Sequence, residues 1–150
     1  MNHKITHLQV DIVSPEGSLF SGKATGLFLK STEGELGIMP GHLQLLSQVA
    51  PCSLRMTHDD SEETQETLLF VSGGILEVQP HAVTILADTA LRPQDVNESA
   101  AKQAQEAARK VLDGKKATPQ DFQEAQAVLL DAMARLQVIE MMRFRKHGGH

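Results

Sequence analysis

Short apolar runs alternate with turn residues through the first half of the chain. Leu8, Val10 and Ile12 are separated by single polar residues, a period of two that is typical of a strand with one buried face. Further runs follow at the spacing expected of an antiparallel sandwich or barrel. They lie near residues 19–20, 27–29, 36–39, 43–47, 52–57, 68–71, 75–78 and 83–87.

One turn in this region carries a strong hairpin signal. Ser72-Gly73-Gly74 lies between two apolar runs, and its glycines accept a positive φ at no steric cost. We therefore predict a tight hairpin that joins the runs at 68–71 and 75–78.

Beyond Pro93 the apolar period changes from two to about 3.6, which predicts helices. Asp95 with Glu98 predicts a capping box at the start of the first helix, and Asp113-Gly114 predicts its end. One face of this helix is built from small or aliphatic residues: Ala100, Ala101, Ala104, Ala107, Ala108, Val111 and Leu112.

The second predicted helix begins at Thr118-Pro119 and extends to about Lys146. Its main apolar stripe is Phe122, Ala125, Leu129, Ala132, Leu136 and Ile139. The linker between the helices is short, so they form an antiparallel hairpin. The predicted fold class is mainly β plus α: an antiparallel β-sandwich in residues 1–90, followed by a two-helix hairpin in residues 95–150.

The second helix is apolar nearly all round towards its C-terminal end. Val138, Met141 and Met142 lie outside the main stripe, and the basic residues nearby are Arg135, Arg143, Arg145 and Lys146. These side chains either cover the sandwich or dock into an acidic groove of a partner. The sequence leaves both interpretations open.

The net charge of −5 is distributed unevenly along the chain. Residues 1–94 hold five basic and eleven acidic side chains, whereas residues 95–150 hold nine and eight. An acidic protein without Trp or Tyr is a poor candidate for nucleic-acid binding, which needs positive charge and stacking surfaces. The single cysteine, Cys52, allows no internal disulfide.

We recognise no catalytic or metal-binding motif in the sequence. Residues 17–24 nearly match a phosphate-binding loop, but Ala24 stands where a hydroxyl should hold magnesium. We expect no enzymatic activity, no cofactor and no bound metal. The first residues lack the regions of a signal peptide, and no apolar run approaches the roughly 18 residues of a membrane span. Any membrane association is therefore expected to depend on a partner.

The segment Gly-Glu-Leu-Gly-Ile-Met-Pro-Gly-His at residues 34–42 is unusually rich in turn residues for a simple connection. With Val71–Pro80, Val83–Ala90 and the C-terminal motifs at 134–136 and 138–140, it resembles the epsilon subunit of bacterial F-type ATP synthases (the delta subunit in mitochondria). The resemblance extends over essentially the whole chain, and its two central motifs are specific.

The resemblance implies a non-catalytic rotor component on the cytoplasmic face of the bacterial inner membrane. The sandwich would bind the gamma subunit and the ring of c subunits, with Glu35 and His42 in the loop that faces the ring. The hairpin would dock on the sandwich, or extend towards the alpha and beta subunits and inhibit ATP hydrolysis. Its implied contact residues are Arg135, Val138, Met141, Met142, Arg143, Arg145 and Lys146.

One segment departs from the family pattern. Some members bind ATP through I/L-D-x-x-R-A at the entry to the first helix, where this chain has Asn97 for the carboxylate and Ala100 for the arginine. We therefore expect weak or absent nucleotide binding.

A second function class stays open on the sequence. A free-standing adaptor, with a sandwich and a helical hairpin that recruits an unrelated protein, would have the same pattern. Co-purification with gamma and the membrane sector distinguishes the two, and an enzyme is a distant third.

Overall fold

The computed structural model describes residues 4–60 and 63–148, and this part of the chain forms ten strands followed by two helices. The strands are β1 Leu8–Ser14, β2 Gly17–Ala24, β3 Gly26–Ser31, β4 Gly34–Ile38, β5 Leu45–Val49, β6 Cys52–Asp60, β7 Glu63–Val71, β8 Gly74–Gln79, β9 Ala82–Ala87 and β10 Ala90–Leu91. A 3₁₀ turn at Pro93–Asp95 leads to α1, Glu98–Asp113, and α2, Pro119–Gly148. The predicted fold class is confirmed.

The strands form one sheet that curls around a single core. Their order is β10-β7-β6-β3-β5-β8-β9-β1-β2, with β4 also paired to β3. The pairs are antiparallel except β1 with β9. The two ends of this order also meet. Thr25, just after β2, donates its N–H to the Thr57 carbonyl of β6 at 2.8 Å. The His58 ring, also on β6, bonds the Lys23 carbonyl at 2.9 Å and the Thr67 hydroxyl at 2.8 Å. These bonds tie the end of β2 to β6, which brings the sheet back on itself.

The predicted hairpin at Ser72-Gly73-Gly74 is wrong. β7 pairs with β6 and β10, whereas β8 pairs with β5 and β9, so this segment carries the chain from one part of the sheet to another. Gly73 and Gly74 have φ of +126° and +146°. A Cβ on Gly74 would lie 2.1 Å from the Leu86 carbonyl oxygen. Positive φ and close approach between strands explain the glycines there as well as a hairpin would.

The first helix starts from a different cap than predicted. The Asn97 side-chain oxygen accepts from Ala100 N–H at 3.0 Å, so Asn97, and not Asp95, is the N-cap. Asp95 is absorbed into the preceding 3₁₀ turn, which Pro93 starts. The second helix begins as predicted, with Thr118 Oγ1 accepting from Asp121 N–H at 3.1 Å.

The buried faces of the two helices are narrower than the predicted stripes. Ala101 and Ala108 of α1 are buried, as are Ala125 and Ala132 of α2. Of the other predicted positions, four are exposed, four are half-buried and Ile139 is buried against the sheet. The exposed ones are Ala100, Ala107, Val111 and Phe122, and the half-buried ones are Ala104, Leu112, Leu129 and Leu136. Two helices that meet through alanines cover only a narrow strip of each other, so most of the remaining apolar side chains stay at least partly exposed.

The C-terminal end of β7, residues 68–71, is buried on both faces. Leu69 and Val71 point into the core of the sheet, whereas Leu68 and Phe70 point outwards and lie beneath α2. The molecule therefore has two apolar clusters that share no residue: the sheet core and a smaller outer cluster between β7 and α2.

Candidate functional site

The outer cluster attaches the hairpin to the sheet. Val138 is fully buried, and Ala134 and Ile139 are nearly so, against Leu68 and Phe70. Met141 and Met142 are half-buried at the margin of the same cluster. In this structure the extra apolar surface of α2 thus covers the sheet, which was one of the two interpretations left open.

Polar contacts flank the outer cluster. The Ser53 hydroxyl donates to the Gln137 side-chain oxygen at 3.2 Å, which links β6 to α2. The Arg135 guanidinium lies over the Phe70 ring, 4.5 Å from its centroid, and its Nε donates to Asp131 at 2.7 Å. The cation–π contact attaches Arg135 to the sheet, and the ion pair with Asp131, which lies within α2, fixes the orientation of its side chain.

Arg143 of α2 joins the two helices through an ion pair with Glu98 of α1. Its guanidinium bonds both carboxylate oxygens of Glu98, at 2.7 and 3.1 Å. The hydrogen bond and charge of Arg143, and the nearby Lys102, lower the pKa of the Glu98 carboxyl. A lowered pKa means that this carboxylate stabilises the fold above its unfolded-state pKa, and that the contribution is lost as the pH falls through the folded-state value.

Arg145 lies on another side of α2 from Arg143. It lines an apolar hollow of about 390 Å³ with Leu68, Met141 and Phe144, flanked by Glu66 and Glu140. Phe144 is 75% exposed. The backbone of Lys146 belongs to α2, but its side chain lies outside the described residues, so its predicted contact stays a prediction.

A wider groove of about 1020 Å³ lies between the sheet and the hairpin. Arg55 sits in its wall, stacked 4.2 Å from the Phe28 ring centroid and bonded to Glu66 at 3.0 Å. Cys52 also lines it, and burial raises the pKa of its thiol, which makes it a poor nucleophile. Among residues 4–60 and 63–148, no three His, Cys, Asp or Glu side chains converge as metal ligands do.

Glu35 and His42 are not brought together. Glu35 is exposed near the start of β4, opposite Lys30 of β3, and borders the wide groove. His42 follows the other end of β4, and its Nδ1–H donates to the Leu43 carbonyl at 2.7 Å. Both side chains are accessible, and their role at a c ring stays a prediction.

Asn97 and Ala100 stand at the two positions where this chain departs from the nucleotide-binding motif. Asn97 caps α1 through its side-chain oxygen, and Ala100 is exposed on the same helix. The expected loss of nucleotide binding stays a prediction.

An apolar row on the outside of the sheet was not identified from the sequence. Val13, Leu86 and Ile75 are neighbours across β1, β9 and β8, and they are 36%, 54% and 49% exposed. Leu46 and Leu43 extend the apolar surface nearby, at 73% and 82%. The signal was present: adjacent apolar residues at 75–76 and 85–86 interrupt the alternation of a strand with one buried face.

Within residues 4–60 and 63–148, no helix is long and apolar enough to span a bilayer.

Two family models match the chain in succession. Residues 7–93 match the ATP synthase delta/epsilon chain beta-sandwich domain, and residues 94–140 match the long alpha-helix domain of the same chain. The fold also resembles a chain of the mitochondrial ATP synthase of Euglena gracilis, in a cryo-EM structure of OSCP, F1 and c-ring. The TM-score is 0.67 at 18% identity, covering 97% of this chain and 85% of that one.

Curated relatives cover nearly the full length. An ATP synthase epsilon chain of Hydrogenovibrio crunogenus is 45% identical over 93% of this chain and 94% of its own. One of Thioalkalivibrio sulfidiphilus is 47% identical over 89% of this chain and 93% of its own. The resemblance seen in the sequence is confirmed: this chain belongs to the ATP synthase delta/epsilon chain family, as an epsilon-type, non-catalytic subunit of the F-type complex.

Proposed function

We propose that this chain is a rotor subunit whose β-domain, residues 1–90, binds the gamma subunit and the c ring, and whose hairpin, residues 95–150, inhibits ATP hydrolysis. It would act as a peripheral protein on the cytoplasmic face of the bacterial inner membrane. Relatives named ATP synthase epsilon chain and a structural neighbour from an F1/c-ring assembly support this assignment.

The observation that carries the proposal is the separation of the two apolar clusters. The sheet core contains no helical residue, and the outer cluster contributes only a few side chains. Because each buried aliphatic side chain contributes about 1.5–3 kcal/mol, the hairpin is held by a modest free energy. Contacts with the alpha and beta subunits can therefore compensate for undocking while the sheet stays folded.

The exposed row of Val13, Leu86 and Ile75 is a suitable surface for the gamma subunit. Its three side chains are 36–54% exposed, and α2 packs mainly on β6 and β7, with only Leu130 of α2 lining a hollow beside Ile75. Apolar side chains aligned on a rigid sheet provide contact area with little loss of conformational entropy on binding.

Replacement of Leu86 by glutamate should weaken gamma binding about tenfold or more, because a charge would be buried in the interface. The free chain should keep its stability, since Leu86 is 54% exposed. Val128→Glu is the matched control: Val128 is 45% exposed, but on α2. Calorimetric titration of gamma with both variants checks this, and wild-type affinity of Leu86→Glu would place the gamma interface elsewhere.

Deletion of residues 95–150 tests the regulatory role. The sheet core should remain folded, and the truncated chain should still co-purify with gamma and the c ring. ATP hydrolysis by the assembled complex should rise about fivefold or more, a factor within the range of allosteric coupling energies. Unchanged hydrolysis would refute the inhibitory role, whereas loss of binding to gamma would favour an adaptor that recruits its partner through the hairpin.

A further inference from the structure

Glu98 and Arg143 lie at the end of the hairpin that has no covalent link between the helices. The loop at 114–118 joins the C-terminal end of α1 to the start of α2. Glu98 is the first residue of α1, and Arg143 lies near the end of α2. Their two-bonded contact, at 2.7 and 3.1 Å, therefore closes the open end.

The remaining contacts between the two helices bury little side-chain surface. The buried residues of α1 are Ala101 and Ala108, and an alanine buries little apolar surface. A helix of 16 residues is also marginal when isolated in water. The stability of α1 in the folded chain thus depends strongly on whatever holds it against α2.

The position of Glu98 in its helix favours its charge. Glu98 stands in the first turn of α1, where the helix dipole stabilises a negative charge. Arg143 lies before the last turn of α2, so its contribution comes from the contact with Glu98 itself. Side-chain exposure of 29% and 56% leaves the pair accessible to water, so it can open without leaving a buried charge.

We propose that the Glu98–Arg143 pair is a clasp for the hairpin, and that it releases α1 from α2 before α2 leaves the sheet. The order follows from the two attachments: α1 is held by alanines and the clasp, whereas α2 is anchored by Val138 and Ile139 in the outer cluster. The clasp itself concerns the free chain, and only its effect on ATP hydrolysis in the assembled complex rests on the proposed regulatory function.

Hydrogen exchange of the free full-length chain tests the clasp. In Glu98→Gln and in Arg143→Gln, the backbone amides of α1 should exchange about two- to fivefold faster, as expected for loss of a well-formed exposed ion pair. The amides of α2 around Val138 should be unchanged. The double variant should exchange no faster than the more affected single variant, because both substitutions remove the same contact.

Lys110→Gln is the matched control, since it breaks an ion pair with Glu106 that lies wholly within α1. It removes one positive charge and should leave the exchange of α1 near the wild-type rate. Glu98→Gln also weakens the interaction with the α1 dipole, so the coupling between the two substitutions is the deciding quantity. Unchanged α1 exchange, or a double variant equal to the product of the singles, would refute the clasp.

Glu98→Gln in the assembled complex separates the clasp from the inhibitory function. If the hairpin inhibits by extending, Glu98→Gln should lower ATP hydrolysis relative to Lys110→Gln. Arg143→Gln does not serve this comparison, because Arg143 is also an expected contact of the extended hairpin with the alpha and beta subunits. Faster α1 exchange in the free chain with unchanged hydrolysis would support the clasp and contradict the inhibitory role. Equal acceleration of α1 and α2 exchange would contradict the proposed order of release.

Discussion

Replacement of Gly74 by alanine should destabilise the β-domain by about 4 kcal/mol, from strain of a positive φ and a forced overlap in the core of the sheet. A Cβ at this position would lie 2.1 Å from the Leu86 carbonyl oxygen and 2.9 Å from Ala87 Cα. Both are backbone atoms of the neighbouring strand, so no side-chain rotation can relieve the overlap. The β8–β9 pairing would have to shift, and a domain of ordinary stability would lose much of its margin.

Gly34→Ala separates the two causes of this loss. Gly34 has φ of +137°, close to the +146° of Gly74, but a Cβ there would meet nothing within 4 Å. It should therefore cost only the conformational strain, about 1–2 kcal/mol. Urea unfolding followed by circular dichroism gives both values, and equal destabilisation by the two substitutions would contradict the overlap.

Val138→Asp should release the hairpin from the sheet. Val138 is fully buried in the outer cluster, against Leu68 and Phe70. An unpaired carboxylate at this position costs several kcal/mol, more than the few aliphatic contacts of the cluster can offset. The carboxylate should therefore move to water by undocking α2, while the sheet core stays folded.

Limited trypsin digestion measures this release. Cleavage after Arg135, which is stacked on Phe70 in the docked state, should accelerate about tenfold or more, and the β-domain should survive. Val128→Asp is the control: it makes the same substitution in α2 at a residue that is 45% exposed. Simultaneous loss of the β-domain in Val138→Asp would show that the two clusters are not independent.

The sequence predicts where the strands and helices lie better than it predicts which strands pair with each other. Short apolar runs between turn residues located nine of the ten described strands, and Thr118-Pro119 located the start of α2, because both signals are local. The Ser72-Gly73-Gly74 turn was misassigned because a positive φ is needed equally by a hairpin and by a crossover. Which strands pair there depends on the distant Leu86, which no local pattern reveals.

The candidate site shows the same division. The apolar and basic pattern at the end of α2 singled out Arg135, Val138 and Arg143, but not the contacts that they make within the chain. The surface beneath α2 left a trace in the unbroken apolar run at 68–71, since a strand that is apolar at every position is covered on both faces. The Glu98–Arg143 contact joins residues 45 positions apart, and it depends on the helix register that packing sets.

The two-sided burial of β7 has a consequence for the subunit before assembly. Without α2, Leu68 and Phe70 would form an apolar patch on a strand near the end of the sheet order, where β10 pairs with β7 at Phe70 and Val71. Exposed apolar side chains beside an open strand edge are a template for aggregation. The docked hairpin covers this patch in the free chain, a use of the docked conformation that does not depend on any role in ATP hydrolysis.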